Sequence, residues 1–570
     1  MAKERRTGGW AIAGWITVLT LAMTACNEPT PKPTETEIPT SGPISTEIPT
    51  PTASPEGYSM SPDQLYWEGL VIVTGNVDEI GLVVGTILVN AEPIAVIDLG
   101  RIIEGTAMQG GVFGKLQIQL YETGDLTTWE AVERIYENSV ALLKEGRIES
   151  AVLADPDYVT GYPVTQVEPV QAVPGYELAR SVAGDPWGAE GSPWGAEGSP
   201  AEGGVVGAVD LFWTQWALGV AEGIQLLDGD GNRPSSMPRG QGVSIAVFDT
   251  SPVTSGNHFY NLGSSSLQLE VQLPVRAGDF QPGNAPAHMN EHGLFVAGLA
   301  HAVAPESNLQ LFRVLNDNAQ GDLFWLIAGM REFIEAALQS RAGTGLQGSL
   351  ERSVMNLSLG ISLEADDIPE AVQAQINQLI SEGVLPGDIL RLLRRTPEGR
   401  GPVPSLRALI YVAAQLGSAP VAAAGNDLGE PMQIPAAWEE VLGVGASRMD
   451  GTPACYSNVG EVYAPGGDGG VLATVNCVPA VYLCPAIGAT CPYGVISLVS
   501  TPIPPTSGGE EGPWFGYWVG TSFSTPLVSG LAALGSECGA VDLVGDILTL
   551  APTAVVDVQA AVAAWCGVVP

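Results

Sequence analysis

Val243-Ser244-Ile245-Ala246-Val247-Phe248-Asp249 is a short, apolar, β-branched-rich run that ends on a carboxylate. A central parallel strand reads this way because helices cover both of its faces. The same pattern recurs at Leu309–Leu315, Val354–Leu359, Pro420–Ala424 and Val441–Gly445, with helical patterns over Glu291–Val303, Asp322–Gln339 and Ser405–Gly417. Strands alternating with helices predict an α/β domain with a mostly parallel sheet flanked by helices. In such sheets chemistry gathers at the carboxyl ends of strands, which is where Asp249 emerges. An Asp there reads equally well as a structural cap, so its role depends on what else the chain supplies.

Gly520-Thr521-Ser522-Phe523-Ser524-Thr525-Pro526 leads into the small, apolar run Leu527–Leu534. A serine between a glycine turn and the first turn of a buried helix is placed as a nucleophile is, and also as an ordinary N-cap is. A nucleophilic serine needs a base. The four histidines, at 258, 288, 292 and 301, all lie upstream of Ser522 and follow Asp249 closely. His292 opens His292-Gly293-Leu294-Phe295-Val296-Ala297-Gly298, in which the small residues let a helix start tight against the sheet. His301 lies nine residues further along and points elsewhere, as a structural residue. Of the three known chain orders of a Ser-His-Asp constellation, one runs Asp, His, Ser, and Asp249, His292 and Ser522 follow it.

Over roughly 240–535 these residues resemble the subtilases, the subtilisin-like serine proteases. The resemblance rests on Asp249-Thr250, His292-Gly with Val-Ala-Gly and Val303-Ala304-Pro305, Asn356-Leu-Ser-Leu-Gly360 and Ala423-Ala-Gly-Asn426. It continues through Val444-Gly-Ala446, Tyr456-Ser457-Asn458, Ala464-Pro465-Gly466 and Gly520-Thr-Ser522 with Pro526. It implies that Ser522 attacks the scissile carbonyl, His292 carries the proton, Asp249 orients the imidazole and Asn426 supplies the oxyanion-hole side chain. It also implies that Ser358, Leu359 and Gly360, with Ala423, Ala424 and Gly425, line the cleft and pair with an extended peptide substrate. No cofactor is required for this chemistry. Structural calcium is common in the family, and no ligand for it is assigned. Leu294-Phe295, Ser524 and Thr250-Ser251 depart from frequent family residues beside the catalytic positions. Those departures motivate an alternative, a catalytically retired subtilase fold acting as a surface binding protein.

Upstream, residues 1–25 read as an export signal: Lys3, Arg5 and Arg6, an apolar core from Trp10 to Ala22, and Met23-Thr24-Ala25 before Cys26. Cys26 is placed as a lipidated, membrane-anchoring cysteine, and an uncleaved anchor is the competing reading. Either predicts an exported chain, a cell-surface lipoprotein or a secreted protein. Residues 26–60 are a Pro/Thr-rich tether, too poor in apolar residues to offset the entropy of ordering. Residues 61–162 regain folded character, with strands expected at Leu70–Val73, Leu82–Val89, Ile94–Leu99, Leu116–Tyr121 and Arg147–Leu153 and a helix over Thr128–Lys144. The family resemblance makes this a small α+β, ferredoxin-like prodomain, the chain's own intramolecular inhibitor.

Residues 163–238, with Pro-Trp-Gly-Ala-Glu-Gly-Ser repeated at 186–192 and 193–199, read as a Gly/Pro-rich linker and approach segment to a catalytic domain at 239–570. Maturation by cleavage is expected somewhere in 163–215. Asp228-Gly229-Asp230-Gly231-Asn232 reads as a turn, since it lacks the later residues of a calcium loop. Segments at roughly 362–404 and 468–512 are insertions relative to the smallest subtilases.

Lys plus Arg number 23 against 62 Asp plus Glu, a balance that argues against a nucleic-acid partner. Beyond Cys26, the cysteines at 455, 477, 484, 491, 538 and 566 read as disulfides in an exported chain, with the pairing left open. Zinc is the alternative, but the seven-residue spacing of Cys477, Cys484 and Cys491 is too wide for structural zinc pairs.

Overall fold

The computed structural model describes residues 66–89, 91–161, 212–219, 223–272, 289–317, 319–383, 385–467, 494–500, 514–551 and 554–567. Cys26, the tether, the tandem repeat, His288, Cys477, Cys484 and Cys491 lie outside the described residues. Among those described, no helix is long and apolar enough to cross a membrane.

The N-terminal module comprises β1 (Tyr66–Asn76), α1 (Val77–Val84), β2 (Ala95–Asp98), α2 (Leu99–Ile102), β3 (Leu116–Glu122), α3 (Thr128–Lys144) and β4 (Leu153–Gly161). The chain continues through β5 (Ser244–Asp249), β6 (Gly256–Asn261), β7 (Ser266–Gln272), α4 (His292–Val303), β8 (Asn308–Arg313), β9 (Gln320–Asp322) and α5 (Leu323–Ser340). Then come β10 (Ser353–Leu357), α6 (Glu370–Ser381), α7 (Gly387–Leu392), α8 (Pro404–Gln415), β11 (Ala419–Ala423), β12 (Leu442–Ser447) and β13 (Val462–Pro465). The last elements are β14 (Val495–Val499), β15 (Trp514–Trp518), α9 (Thr521–Glu537), α10 (Leu543–Leu550) and α11 (Val558–Cys566).

The main sheet runs β13-β12-β11-β10-β5-β8-β7-β6, and every neighbouring pair is parallel except the β6–β7 hairpin at one edge. The expected α/β sheet is therefore present, and β5 lies inside it with strands on both sides. On one face, α4 and α9 pack against each other and are buried along almost their whole length. They approach closely because Gly530 has no side chain: a Cβ there would stand 2.5 Å from Val303 Cβ. On the other face lie α5, α6 and α8, whose apolar residues form one continuous core with the N-terminal module. Residues 212–219 and 223–238 are packed rather than loose. Phe212, Trp216, Leu218 and Ile224 join the α4–α9 core, and the Gln215 side chain exchanges hydrogen bonds of 2.9 and 2.8 Å with the Ile496 backbone.

In the module, β2-β3-β1-β4 form an antiparallel sheet, and β9 from the α/β fold adds to its β4 edge. Two expected strands differ here. The strand expected over Leu82–Val89 is not formed, and Leu82–Val84 instead end α1. Asn76 caps it by accepting from the Asp78 amide at 3.1 Å, and Ile80, Val83 and Val84 are buried at helical spacing. The final strand begins at Leu153, where it was expected to end, and continues through Asp155-Pro156. That proline lies where β9 does not pair, and a free edge tolerates a missing N–H. Helix α3 matches its expected span, closed by a capping box of Thr127 and Glu130.

Polar groups hold the module on the α/β fold at defined points. Asp157 Oδ1 accepts the Phe324 amide (3.1 Å) at the start of α5, and Asp155 Oδ2 accepts the Ser405 amide (3.0 Å) at the start of α8. Helix starts carry unpaired amides, so a carboxylate is suited to both places. Helix α6, inside the 362–404 insertion, packs against α3, and Lys144 Nζ pairs with Glu382 Oε1 at 3.1 Å. Cys538 and Cys566 form a disulfide that ties the end of α9 to α11, and Cys455 is disulfide-bonded as well. Asp228 Oδ1 accepts the amides of Asp230 (3.0 Å) and Asn232 (2.8 Å), so that loop is a side-chain-stabilised turn.

Candidate active site

Asp249 ends β5 fully buried, and its Oδ1 accepts the Thr250 amide at 2.7 Å. His292 begins α4, and its Nδ1 lies 3.0 Å from each oxygen of the Asp249 carboxylate. The pair can meet because residue 293 is glycine: a Cβ there would collide with the Thr250 carbonyl oxygen and stand 2.9 Å from Asp249 Cβ. Thr250 completes the joint. Its Oγ1 donates toward the Asn290 carbonyl (3.0 Å) and accepts the Gly293 amide (3.1 Å), fastening the strand end to the helix start.

The His292 ring is also fixed from its sides. It packs against Phe523 (centroids 4.9 Å apart) and, edge-on, against Trp518 (5.2 Å). Phe295, one of the departures from the family pattern, is buried against the same two rings. Phe523 directly follows Ser522 in the chain.

Ser522 lies in the first turn of α9, entered through Gly520 at φ 152°, a conformation that favours glycine. Pro526 stands four residues on. It has no N–H to donate to the Ser522 carbonyl, so that carbonyl is free to accept the Ser358 hydroxyl at 2.8 Å. Behind Ser358 the bonds continue: Asn356 Nδ2 donates to Ser358 Oγ (2.9 Å), and Ser529 Oγ donates to Asn356 Oδ1 (2.9 Å). The Ser522 hydroxyl itself donates to the Ser358 carbonyl at 3.2 Å.

Asn426 approaches from the loop after β11. Its Oδ1 accepts both the amide and the hydroxyl of Thr521 at 3.0 Å each, which turns its NH2 group away from Thr521. Gly425 precedes it at φ 112°, and Asn458 braces the loop by donating to the Ala424 and Pro431 carbonyls at 3.2 and 3.1 Å. Thus Asp249, His292, Ser522, Asn426 and the Ser358–Gly360 segment converge at one end of the sheet. Ala423 ends β11, and Ala424 and Gly425 lead from it to Asn426.

Thr250, Trp518 and Phe523 contribute to this site and were not singled out from sequence as site residues. Thr250 adjoins Asp249 in the chain and could have been suspected from its hydroxyl, whereas Trp518 reaches His292 only through the β14–β15 hairpin. His301 is remote from the site. It lies 3.1 Å from Ser265 Oγ beside Trp213, and burial, with Arg239 and Arg233 nearby, pushes its pKa down to about 4. Among the described residues, no group of three or more His, Cys, Asp or Glu could hold a metal ion.

Residues 240–538, a little over half of the chain, match the model of the subtilase family. The chain belongs to the subtilase family. The matched span opens just before β5 and closes at the end of α9, so it contains every site residue named above and excludes the N-terminal module. This subtilase is 24% identical over 250 residues to an intracellular serine protease of Paenibacillus polymyxa, covering 42% of this chain and 60% of that protein. It is 27% identical over 239 residues to a subtilisin-like protease of Coccidioides posadasii (strain C735), covering 40% of this chain and 45% of that protein. Among solved structures it is similar to fervidolysin from Fervidobacterium pennivorans, a keratinolytic enzyme related to subtilisin (16% identity, TM-score 0.48, 90% of this chain and 63% of that one). It is also similar to a protease from Pseudoalteromonas arctica (22% identity, TM-score 0.38, 62% of this chain and 98% of that one).

Proposed function

We propose that this subtilase is an exported serine endopeptidase that cuts peptide bonds through an acyl-enzyme. The observation that carries the reading is the buried His292–Asp249 pair, Nδ1 at 3.0 Å from both carboxylate oxygens, next to a serine at a helix start. Ser522 Oγ attacks the scissile carbonyl while His292 Nε2 takes its proton, and Asp249 keeps Nδ1 protonated and stabilises the imidazolium. Charge that develops on the carbonyl oxygen is met by Asn426 Nδ2 and the Ser522 amide at the start of α9. His292 then returns the proton to the leaving amine, and water repeats the sequence on the acyl-enzyme to release the acid.

Residues 61–162 are the proposed intramolecular inhibitor, a prodomain whose antiparallel strand order β2-β3-β1-β4, with α1 and α3 as its two main helices and the one-turn α2 added between β2 and β3, fits a ferredoxin-like fold. The support is β4, whose last residue, Gly161, exchanges backbone hydrogen bonds with Gly360 in the proposed substrate cleft. Export and lipidation at Cys26 rest on the sequence of residues 3–26.

Fluorophosphonate labelling and hydrolysis of a denatured protein substrate test the chemistry. Wild type should label and hydrolyse, and Ser522→Ala should do neither and should keep its prodomain attached on N-terminal sequencing. Labelling and hydrolysis unchanged by Ser522→Ala would overturn the reading, and an unreactive wild type would support the retired binding protein.

A further inference from the structure

Gly161 is bound on both edges. On one it pairs with Gln320 of β9, and on the other it exchanges N–H···O bonds of 3.3 and 2.9 Å with Gly360. Thr160, just before it, is fully buried and pairs with Gly321. A chain held along both edges has no freedom to rotate, so the direction of each side chain is dictated by the pairing. At Gly161 that direction is blocked: a Cβ would collide with the Ala319 carbonyl oxygen.

This wall is backbone and it is braced. Ala319 is held at φ 60° with its amide donating to the Asn316 carbonyl at 2.9 Å. The Asn316 amide donates to the Gln320 carbonyl at 2.8 Å, and the Asn316 side chain accepts the Gln320 amide at 3.1 Å. The tight turn between β8 and β9 thus aims a carbonyl at the bound strand and cannot swing aside as a side chain would. The next glycine along, Gly321, has no more room, since a Cβ there would collide with the Val314 carbonyl oxygen.

Register locates this position relative to the chemistry. In an antiparallel pair, a residue two places beyond the partner of Gly360 faces Ser358, and the Ser358 carbonyl is 3.2 Å from Ser522 Oγ. The carbonyl attacked in a bound peptide is therefore that of the residue opposite Ser358. The residue opposite Gly360 is the third before the cut.

We propose that the Ala319 turn makes this subtilase select glycine at the third residue before the cleaved bond, so that its substrates are peptides carrying glycine there. The proposal rests on the peptidase reading above and on the module occupying the cleft as a substrate does. Fluorogenic peptides that differ only in Gly, Ala or Val at that residue, assayed with the mature enzyme from the full chain, read it directly. Changing Gly to Ala should lower kcat/KM by about 10- to 100-fold, the size expected of forced overpacking, and Val should lower it further. Equal rates for Gly and Ala would overturn the selection and leave the peptidase intact, whereas no hydrolysis and no fluorophosphonate labelling would overturn the peptidase reading.

A second measurement needs no turnover. In the full chain carrying Ser522→Ala, Gly161→Ala should break the pairing and speed hydrogen exchange of the Gly360 amide by about tenfold or more. Unchanged exchange at Gly360 would overturn the proposal by itself.

Discussion

Helices α4 and α9 carry His292 and Ser522, and the N-terminal module sits across the sheet from them on α5, α6 and α8. The helix pair is secured by burial of small and apolar residues along almost its whole length, with glycines where backbones touch. The module adds to its apolar contact a set of polar joints at its edge: two helix-capping carboxylates, one exposed ion pair and one backbone strand. Close packing leaves a catalytic ring no alternative position. Polar joints can be undone by a change of pH, by water or by a cut.

Asp249 and Asp155 sharpen the contrast because both are buried carboxylates at the ends of their regions' contacts. Asp249 faces an imidazole. Asp155 faces the Ser405 amide, with Tyr136 and Tyr158 nearby, and burial raises its pKa to about 7.

The comparison predicts that damage on the helix side appears in turnover and damage on the module side in retention. Asp249→Asn should show the largest effect, lowering kcat by about 10^4-fold through the wrong imidazole tautomer, with affinity for separately supplied, cleaved module unchanged. Asn426→Ala should follow, with kcat down about 10²–10³-fold and KM little altered; that magnitude is the one known for such a donor in subtilisin, a member of this family. Steady-state kinetics of the mature enzymes check both. A loss of either variant's turnover that tracked loss of folding, seen by thermal melts, would break the distinction.

The remaining effect concerns Asp155, leaves turnover untouched and depends on pH. Its carboxyl titrates near 7 when docked, against an ordinary 3.8, so the docked state holds a proton that the released module gives up. Retention should be strongest below about pH 4, weaken as pH rises by up to about tenfold per unit, and level off above about 7. Asp155→Asn should flatten this profile in a competition assay with cleaved module and leave kcat of the mature enzyme unchanged. A profile that keeps its slope in the variant would assign the pH dependence to another group.

Much of this was legible in the chain because it is local. Five strands of the sheet, helices α4, α5 and α8 and the span of α3 follow from period, apolar runs and end signals within a few residues. The misreadings are local ambiguities too: Leu82–Val89 is apolar enough to pass for strand although its first residues end a helix, and Asp155-Pro156 looks like a strand's end until the neighbouring strand is known to be absent beside it. The departures at Leu294 and Phe295 motivated the alternative of a retired fold, yet both residues are buried, and Phe295 packs on the rings that hold His292.

Sequence alone determined the order of Asp249, His292, Asn426 and Ser522 and the alternation that makes an α/β sheet, because residue type and spacing are properties of the chain. Tertiary structure decided which groups touch: the 3.0 Å approach of His292 to Asp249 across 43 residues, the pairing of Gly161 with Gly360, and the Ala319 carbonyl that closes the space beside Gly161. Those contacts join segments far apart in sequence, and their distances are set by packing around the sheet, which no local pattern encodes.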